Sequence, residues 1–180
     1  MTATIRRIAP EDLPEHLPAL IALLQDAVDS GASVGFLHPL LAEAAAAYWT
    51  SVQGAVRSGR RALFAAFEGQ DLVGAVQLDL ADMPNGSHRA EVMKLFVQRR
   101  ARRKGVAKAL MRALEEDART RGRQLLVLDT RAGDFAAKLY EEIGYTKAGV
   151  VPRYARNSHG DLDSTVFMYR WLGPDTGDDT

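Results

Sequence analysis

Around Gly59 the sequence changes period, and that change restricts the chain to folds that layer helices on a sheet. Before it, Leu13, Leu17, Leu20, Ile21, Leu24 and Val28 recur at helical spacing, with Asp12 placed to cap the helix. Leu41, Ala45, Tyr48, Trp49, Val52 and Val56 form a second stripe, and Pro39 suits that helix's first turn. After it, residues 62–67 and 72–80 flank the turn EGQD and read as a hairpin. Met83-Pro84-Asn85-Gly86 is another turn, followed by a strand at 88–97. A helix at 104–121, a strand at 124–129 and a helix at 134–143 come next, with Gly144 just past the last. Ile5–Ile8 opens the chain as a short strand, and 145–151 and 165–171 close it as two more. The expected order is β α α β β β α β α β β, a mixed α/β layer fold. No internal repeat interrupts it, so residues 1–172 are expected to form one domain, with residues 173–180 as a frayed acidic tail.

Composition removes several function classes. The absence of cysteine excludes disulfide frameworks, zinc–thiolate sites, iron–sulfur clusters and thiol nucleophiles. Lys plus Arg and Asp plus Glu balance at 23 each, which argues against a uniformly basic nucleic-acid binder. No apolar run reaches the ~18 residues of a membrane helix, and the first residues lack the apolar core of a signal peptide. A cytoplasmic protein without membrane or nucleic-acid partners is expected. His16, His38, His88 and His159 show no metal-ligand spacing, so no metal is expected either.

Against that balance, one segment stands out. Val92–Lys108 carries Lys94, Arg99, Arg100, Arg102, Arg103, Lys104 and Lys108 and no acid. It joins a strand to a helix that opens at Gly105-Val106-Ala107. Helix N-termini present unpaired N–H groups and a positive dipole end, and Gly105 permits close backbone approach, so the junction is suited to a phosphate. A solvated basic surface is the alternative.

Arg102-x-x-Gly105-x-Ala107 after EVMKLFV resembles the acyl-CoA pyrophosphate loop of the GNAT acetyltransferases. LLVLDTRAGDFAAKLYEEIGY is similar to the same family, which ends that stretch in Tyr, Gly and an aromatic, here Tyr140, Gly144 and Tyr145. GASVGF, PNG and RAEVMKL with LDT resemble the tabtoxin-resistance type, a subgroup associated with inactivating a small toxin. The resemblance implies a central twisted mixed sheet whose strands at 88–97 and 124–129 splay around acetyl-CoA. It also implies that Leu95, Phe96 and Val97 pair with the pantetheine arm. Arg102, Arg103, Lys104, Gly105, Val106 and Ala107, with Lys108 behind them, would hold the pyrophosphate. The Asn common at the start of the helix that follows is absent, with Gly133 near its place.

Strand alternation puts Glu91 in a row with Met93, Leu95 and Val97, and Asp129 at the end of the row Leu125, Val127. A carboxylate ending an apolar row is a candidate base with its pKa raised by partial burial. The alternatives are an exposed acid beside Arg89 and an Asx-turn at Asp129. The resemblance assigns Tyr140 to protonation of the departing thiolate. Ser33, Val34, Gly35 and Phe36 read as a glycine-flanked loop over a substrate.

Gly31-x-Ser33-x-Gly35 also fits a nucleophile elbow, but that motif needs a strand before it and a helix beginning at the serine. The expected activity is direct acetyl transfer to an amine or hydroxyl of a small molecule such as a toxin or antibiotic, in a ternary complex. No cysteine is available for an acyl-enzyme. A non-catalytic acyl-CoA sensor is the competing reading, and RNA binding is disfavoured by the few aromatics beside the basic loop and the neutral total charge. The late strands could pair in a homodimer.

Overall fold

The computed structural model describes residues 3–157 and 159–174; most of the expected acidic tail, 175–180, lies outside the described residues. The strands are β1 (Thr4–Arg7), β2 (Arg61–Glu68), β3 (Asp71–Leu80), β4 (Arg89–Val97), β5 (Leu125–Arg131), β6 (Thr146–Arg156) and β7 (Leu162–Trp171). The helices are α1 (Leu13–Asp29), α2 (Ala42–Arg57), α3 (Val106–Thr120) and α4 (Phe135–Glu142). The expected order of elements holds throughout. The strands form one sheet in the order β1-β2-β3-β4-β5-β7-β6.

Helices cover both faces of the sheet's first half, which explains why β2 and β3 are nearly unbroken apolar runs. Leu63, Ala65, Phe67 and Ala75 pack with the stripes of α1 and α2, where Trp49 is fully buried. Ala62, Phe64, Val76 and Leu78 pack against Leu110, Met111 and Leu114 of α3 on the opposite face. Arg170 of β7 donates to Glu115 of α3 at 2.9 Å, tying the late strands to that helix. Among the described residues, no helix is long and apolar enough to cross a membrane.

Two local expectations fail at helix starts. Asp12 occupies the N-cap of α1 but its backbone is helical and its side chain makes no capping hydrogen bond. Pro39 lies outside α2, which begins at Ala42 behind an extended Leu41. Both late strands are longer than expected, and β7 inserts between β5 and β6, a placement set by long-range pairing rather than local pattern.

The central junction is the parallel pair β4–β5. Its register runs only from Arg89/Leu125 to Glu91/Val127, after which the strands part. On the other side of β4, Ala75 pairs with Phe96 and Gln77 with Met93, so two steps of β3 oppose three of β4. That is a β-bulge, and Lys94 within it has a left-handed backbone (φ 53°).

Candidate active site

The bulge changes which side chains share a face. Val92, Leu95 and Val97 pack with the α3 cluster, whereas Phe96 packs with α1 and α2. The single expected row of Glu91, Met93, Leu95 and Val97 is therefore broken. Glu91 and Met93 stay on the α1–α2 face, and the extra residue at Lys94 turns Leu95 and Val97 to the other. Beyond Glu91 the β5-facing edge of β4 has no strand partner. Leu95, Phe96 and Val97 thus line the gap with β5.

The basic junction folds into a tight turn. Arg103 (φ 62°) and Gly105 (φ 81°) are both left-handed, and α3 starts at Val106. Among the described residues, the N–H groups of Arg103, Lys104 and Gly105 reach no backbone carbonyl, and a Cβ on Gly105 would meet no atom within 4 Å. Alternating handedness with free N–H groups makes an anion-binding concavity at the positive end of α3. The surrounding charges are mostly structural. Arg99 pairs with Asp26 of α1 and Arg100 with Asp71, both at 2.9 Å. Lys104 pairs with Glu68 at 3.2 Å and Lys108 with Glu142 at 2.8 Å. Arg102 instead spans the mouth of the gap, donating to the Val97 carbonyl at 3.1 Å and to Ser30 Oγ at 2.7 Å.

Glu91 and Asp129 share the α1–α2 face, because Glu91 is in register with Val127 and Asp129 lies two residues further along β5. Burial, then the nearby charges of Asp129 and Asp79, push the Glu91 carboxyl above the ordinary carboxylate value, while Arg89 and Arg61 oppose the shift. A hydrogen-bonded chain backs it from the neighbouring strands. Gln77 Nε2 donates to Tyr48 Oη at 2.9 Å, Arg61 Nη1 to Gln77 Oε1 at 3.1 Å, and Arg61 Nε to Asp79 Oδ1 at 2.9 Å. Asp79 pairs with Glu91 across the ladder, and both line a small cleft of about 150 Å³ with Arg60 and Arg89. Asp129 is inside β5, which runs on to Arg131, so the alternative of an Asx-turn is not formed there; Thr165 Oγ1 donates to Asp129 Oδ2 at 3.4 Å. Tyr140 lies on the other side of the sheet, buried against Tyr145. Burial, then the charge of Asp129, raises its phenol pKa, so the group stays protonated.

Ser33, Val34, Gly35 and Phe36 belong to an irregular segment between α1 and α2, with no strand leading in and no helix at the serine, so the geometry of a nucleophile elbow is missing. All four line the larger cleft, about 230 Å³, opposite Arg131, Ala155, Arg156 and Asn157. Phe36 stands edge-on to Tyr48 at 5.2 Å. The sequence alone gives no local signal for Arg131, Ala155, Arg156 and Asn157, and it groups Lys94 with the basic segment although it is a lone charge amid the apolar strand VMKLFV. Among the described residues, no group of three or more His, Asp or Glu is disposed to hold a metal ion.

The acetyltransferase (GNAT) family model matches residues 22–145. Human N-acetyltransferase 8 is 37% identical over 79 residues, which are 43% of this chain and 34% of that protein. The chain thus spans only about a third of that relative's length. The crystal structure of a ribosomal-protein-alanine N-acetyltransferase from Brucella melitensis superposes with a TM-score of 0.78 at 23% identity, covering 94% of this chain and 99% of that one. A phosphinothricin acetyltransferase from Sinorhizobium meliloti in complex with acetyl-CoA gives 0.78 at 19% identity, covering 99% and 93%. These two likenesses concern the fold. The family match covers more than half of the sequence and takes in both diverging strands, the basic turn and α4, and the chain therefore belongs to the GNAT acetyltransferase family.

Proposed function

We propose that the protein transfers an acetyl group from acetyl-CoA to an amine or hydroxyl of a small molecule, both substrates being bound together. The observation that carries this reading is the divergence of β4 and β5 beyond Glu91/Val127, which opens between the basic turn and two carboxylates. The open backbone around Gly105 and the free N–H groups beside it fit a pyrophosphate. In this reading Arg102, Arg103, Lys104, Gly105, Val106, Ala107 and Lys108 surround the phosphates, and Leu95, Phe96 and Val97 offer backbone groups to the pantetheine arm. When bound, acetyl-CoA supplies an activated acetyl group. Glu91 or Asp129 takes the acceptor's proton, and Tyr140 donates one to the departing sulfur.

The 31–36 loop and the cleft beneath it receive the acceptor. GASVGF, PNG and LDT make a small toxin or antibiotic the first acceptor class to screen, β6 at the sheet edge offers a strand for pairing in a homodimer, and a cytoplasmic location belongs to the same reading. A non-catalytic sensor of acyl-CoA would keep the basic turn and need neither carboxylate, so the pair of them favours the enzyme. The test is release of free CoA from acetyl-CoA against a panel of amines, amino-acid analogues and antibiotics. Acceptor-dependent release supports the proposal; tight acetyl-CoA binding with no acceptor-dependent release across the panel supports the sensor.

A further inference from the structure

Lys94 is the only charged side chain in the run Val92–Val97, and the bulge holds its backbone at φ 53°. A side chain with a Cβ disfavours that conformation, so the surroundings must stabilise it. They do so through the segment between α1 and α2. Lys94 Nζ donates to the Val34 carbonyl at 2.7 Å and stands 5.9 Å from the centre of the Phe36 ring, within range of a cation–π contact. Gly35 lies directly against the amine. Its φ is +82°, a backbone that favours glycine, and a Cβ there would stand 3.0 Å from Nζ. Among the described residues, no backbone–backbone hydrogen bond involves residues 33–37, and the segment has no charged side chain of its own. The lysine is thus the polar tie between this segment and the sheet.

We propose that Lys94 is the positioning residue of the acceptor cleft: its amine clamps residues 33–37 to the bulge of β4 and so fixes the roof of the 230 Å³ cleft relative to the strand that carries Glu91. The proposal rests on the acetyltransferase reading only in taking that cleft as the acceptor's. The clamp acts on one wall of the acceptor cleft and leaves the basic turn at residues 102–105 untouched, so it governs acceptor affinity rather than acetyl-CoA affinity. Burial lowers the pKa of Lys94, and Arg61 on β2 adds to this, whereas Asp129 on β5 and Glu91 on β4 favour its charged form. The segment facing it from α1–α2 contributes only the Val34 carbonyl and the Phe36 ring. The charge therefore fades below the pH at which a free lysine titrates, and the clamp loosens with it.

The test uses the full chain saturated with acetyl-CoA and the variants Lys94→Met and Lys94→Arg. Chymotrypsin cleavage after Phe36 and Leu37 is expected to be tenfold or more faster in Lys94→Met, with cleavage in α1 and β3 unchanged, and to be largely restored in Lys94→Arg. In wild type, cleavage at these two sites relative to Lys94→Arg should rise at alkaline pH, the arginine variant serving as the reference for the protease's own pH dependence. With tyramine, spermidine and kanamycin as probe acceptors, Lys94→Met should raise KM tenfold or more for any probe turned over. Its acetyl-CoA Kd should stay within twofold and kcat should change less than KM. If Lys94→Met does not fold, the alkaline rise in cleavage of wild type and its absence in Lys94→Arg decide the clamp. Unchanged cleavage at Phe36 and Leu37 overturns the proposal, as does an acetyl-CoA Kd that moves in step with KM. A wild type that binds no acetyl-CoA by calorimetry sinks the acetyltransferase reading instead, and the cleavage result still decides the clamp.

Discussion

Burial first, and then the nearby carboxylates of Asp129 and Asp79, raise the pKa of Glu91 above the ordinary glutamate value. A general base works in its unprotonated form, so the rate rises with pH through the pKa of the base. Because the Glu91 pKa is raised, the acidic limb of kcat/KM should lie above the ~4.3 of an ordinary glutamate. Glu91→Gln should remove that limb and lower kcat by about 10²-fold, a general-base contribution, with acetyl-CoA affinity retained. Asp129→Asn should cost a comparable factor, and the variant that loses the limb identifies the base. Normal turnover of both variants at saturating acceptor would return both residues to structural roles. Tyr140→Phe should lower kcat only for acceptors whose rate is limited by thiolate departure, a distinction read from the dependence of kcat on acceptor basicity.

At the scale of elements, the turn between β4 and α3 works through its backbone more than through its charge. Four of the seven cations in Val92–Lys108 are already paired with acids on α1, α4 and the β2–β3 hairpin. Gly105 at φ 81° is where a β-branched residue is least tolerated. Gly105→Val should therefore weaken acetyl-CoA binding tenfold or more by calorimetry, even though a Cβ there meets no neighbouring atom. Arg102→Glu should do the same by placing a negative charge at the mouth of the gap. Wild-type affinity in both variants would refute a phosphate site at this turn. The segment between the first two helices predicts the opposite signature. Phe36→Ala removes a ring held between Tyr48 and Lys94 and should raise acceptor KM while leaving acetyl-CoA affinity nearly unchanged.

For the whole molecule, ligand and fold are linked, since acetyl-CoA can bind only where distant segments have come together. At a hundredfold excess over Kd, such a ligand adds about 2.7 kcal/mol of stability. For a chain of this size that amounts to a rise in Tm of roughly 5–10 °C. No shift at saturation would count against the site. The core under α1 and α2 offers a second measure. Trp49 is fully buried yet its indole N–H has no partner among the described residues. Trp49→Ala should cost about 3–5 kcal/mol in urea unfolding. Trp49→Phe should cost distinctly less, because it keeps most of the packing and removes the unpaired donor.

The order of elements, the basic strand-to-helix junction and the two strand carboxylates were all legible in the sequence, because periodicity and turn chemistry are local properties of neighbouring residues. The resemblance carried by residues 102–107 and 125–145 pointed to the family that the comparison then established. What remained hidden depends on residues far apart. Lys94 meets Val34 across 60 positions and Arg99 meets Asp26 across 73, so no local window contains either pair. The bulge that turns Leu95 and Val97 away from Glu91 exists because β4 is one residue longer than the stretch of β3 it pairs with. Likewise, β7 lies between β5 and β6 because of hydrogen-bonded pairing that no single strand's pattern encodes. The sequence by itself determined which elements form and which residue types meet the gap between β4 and β5. Only the tertiary structure decided which way those residues face, because facing follows from register and register is a contest among long-range pairings.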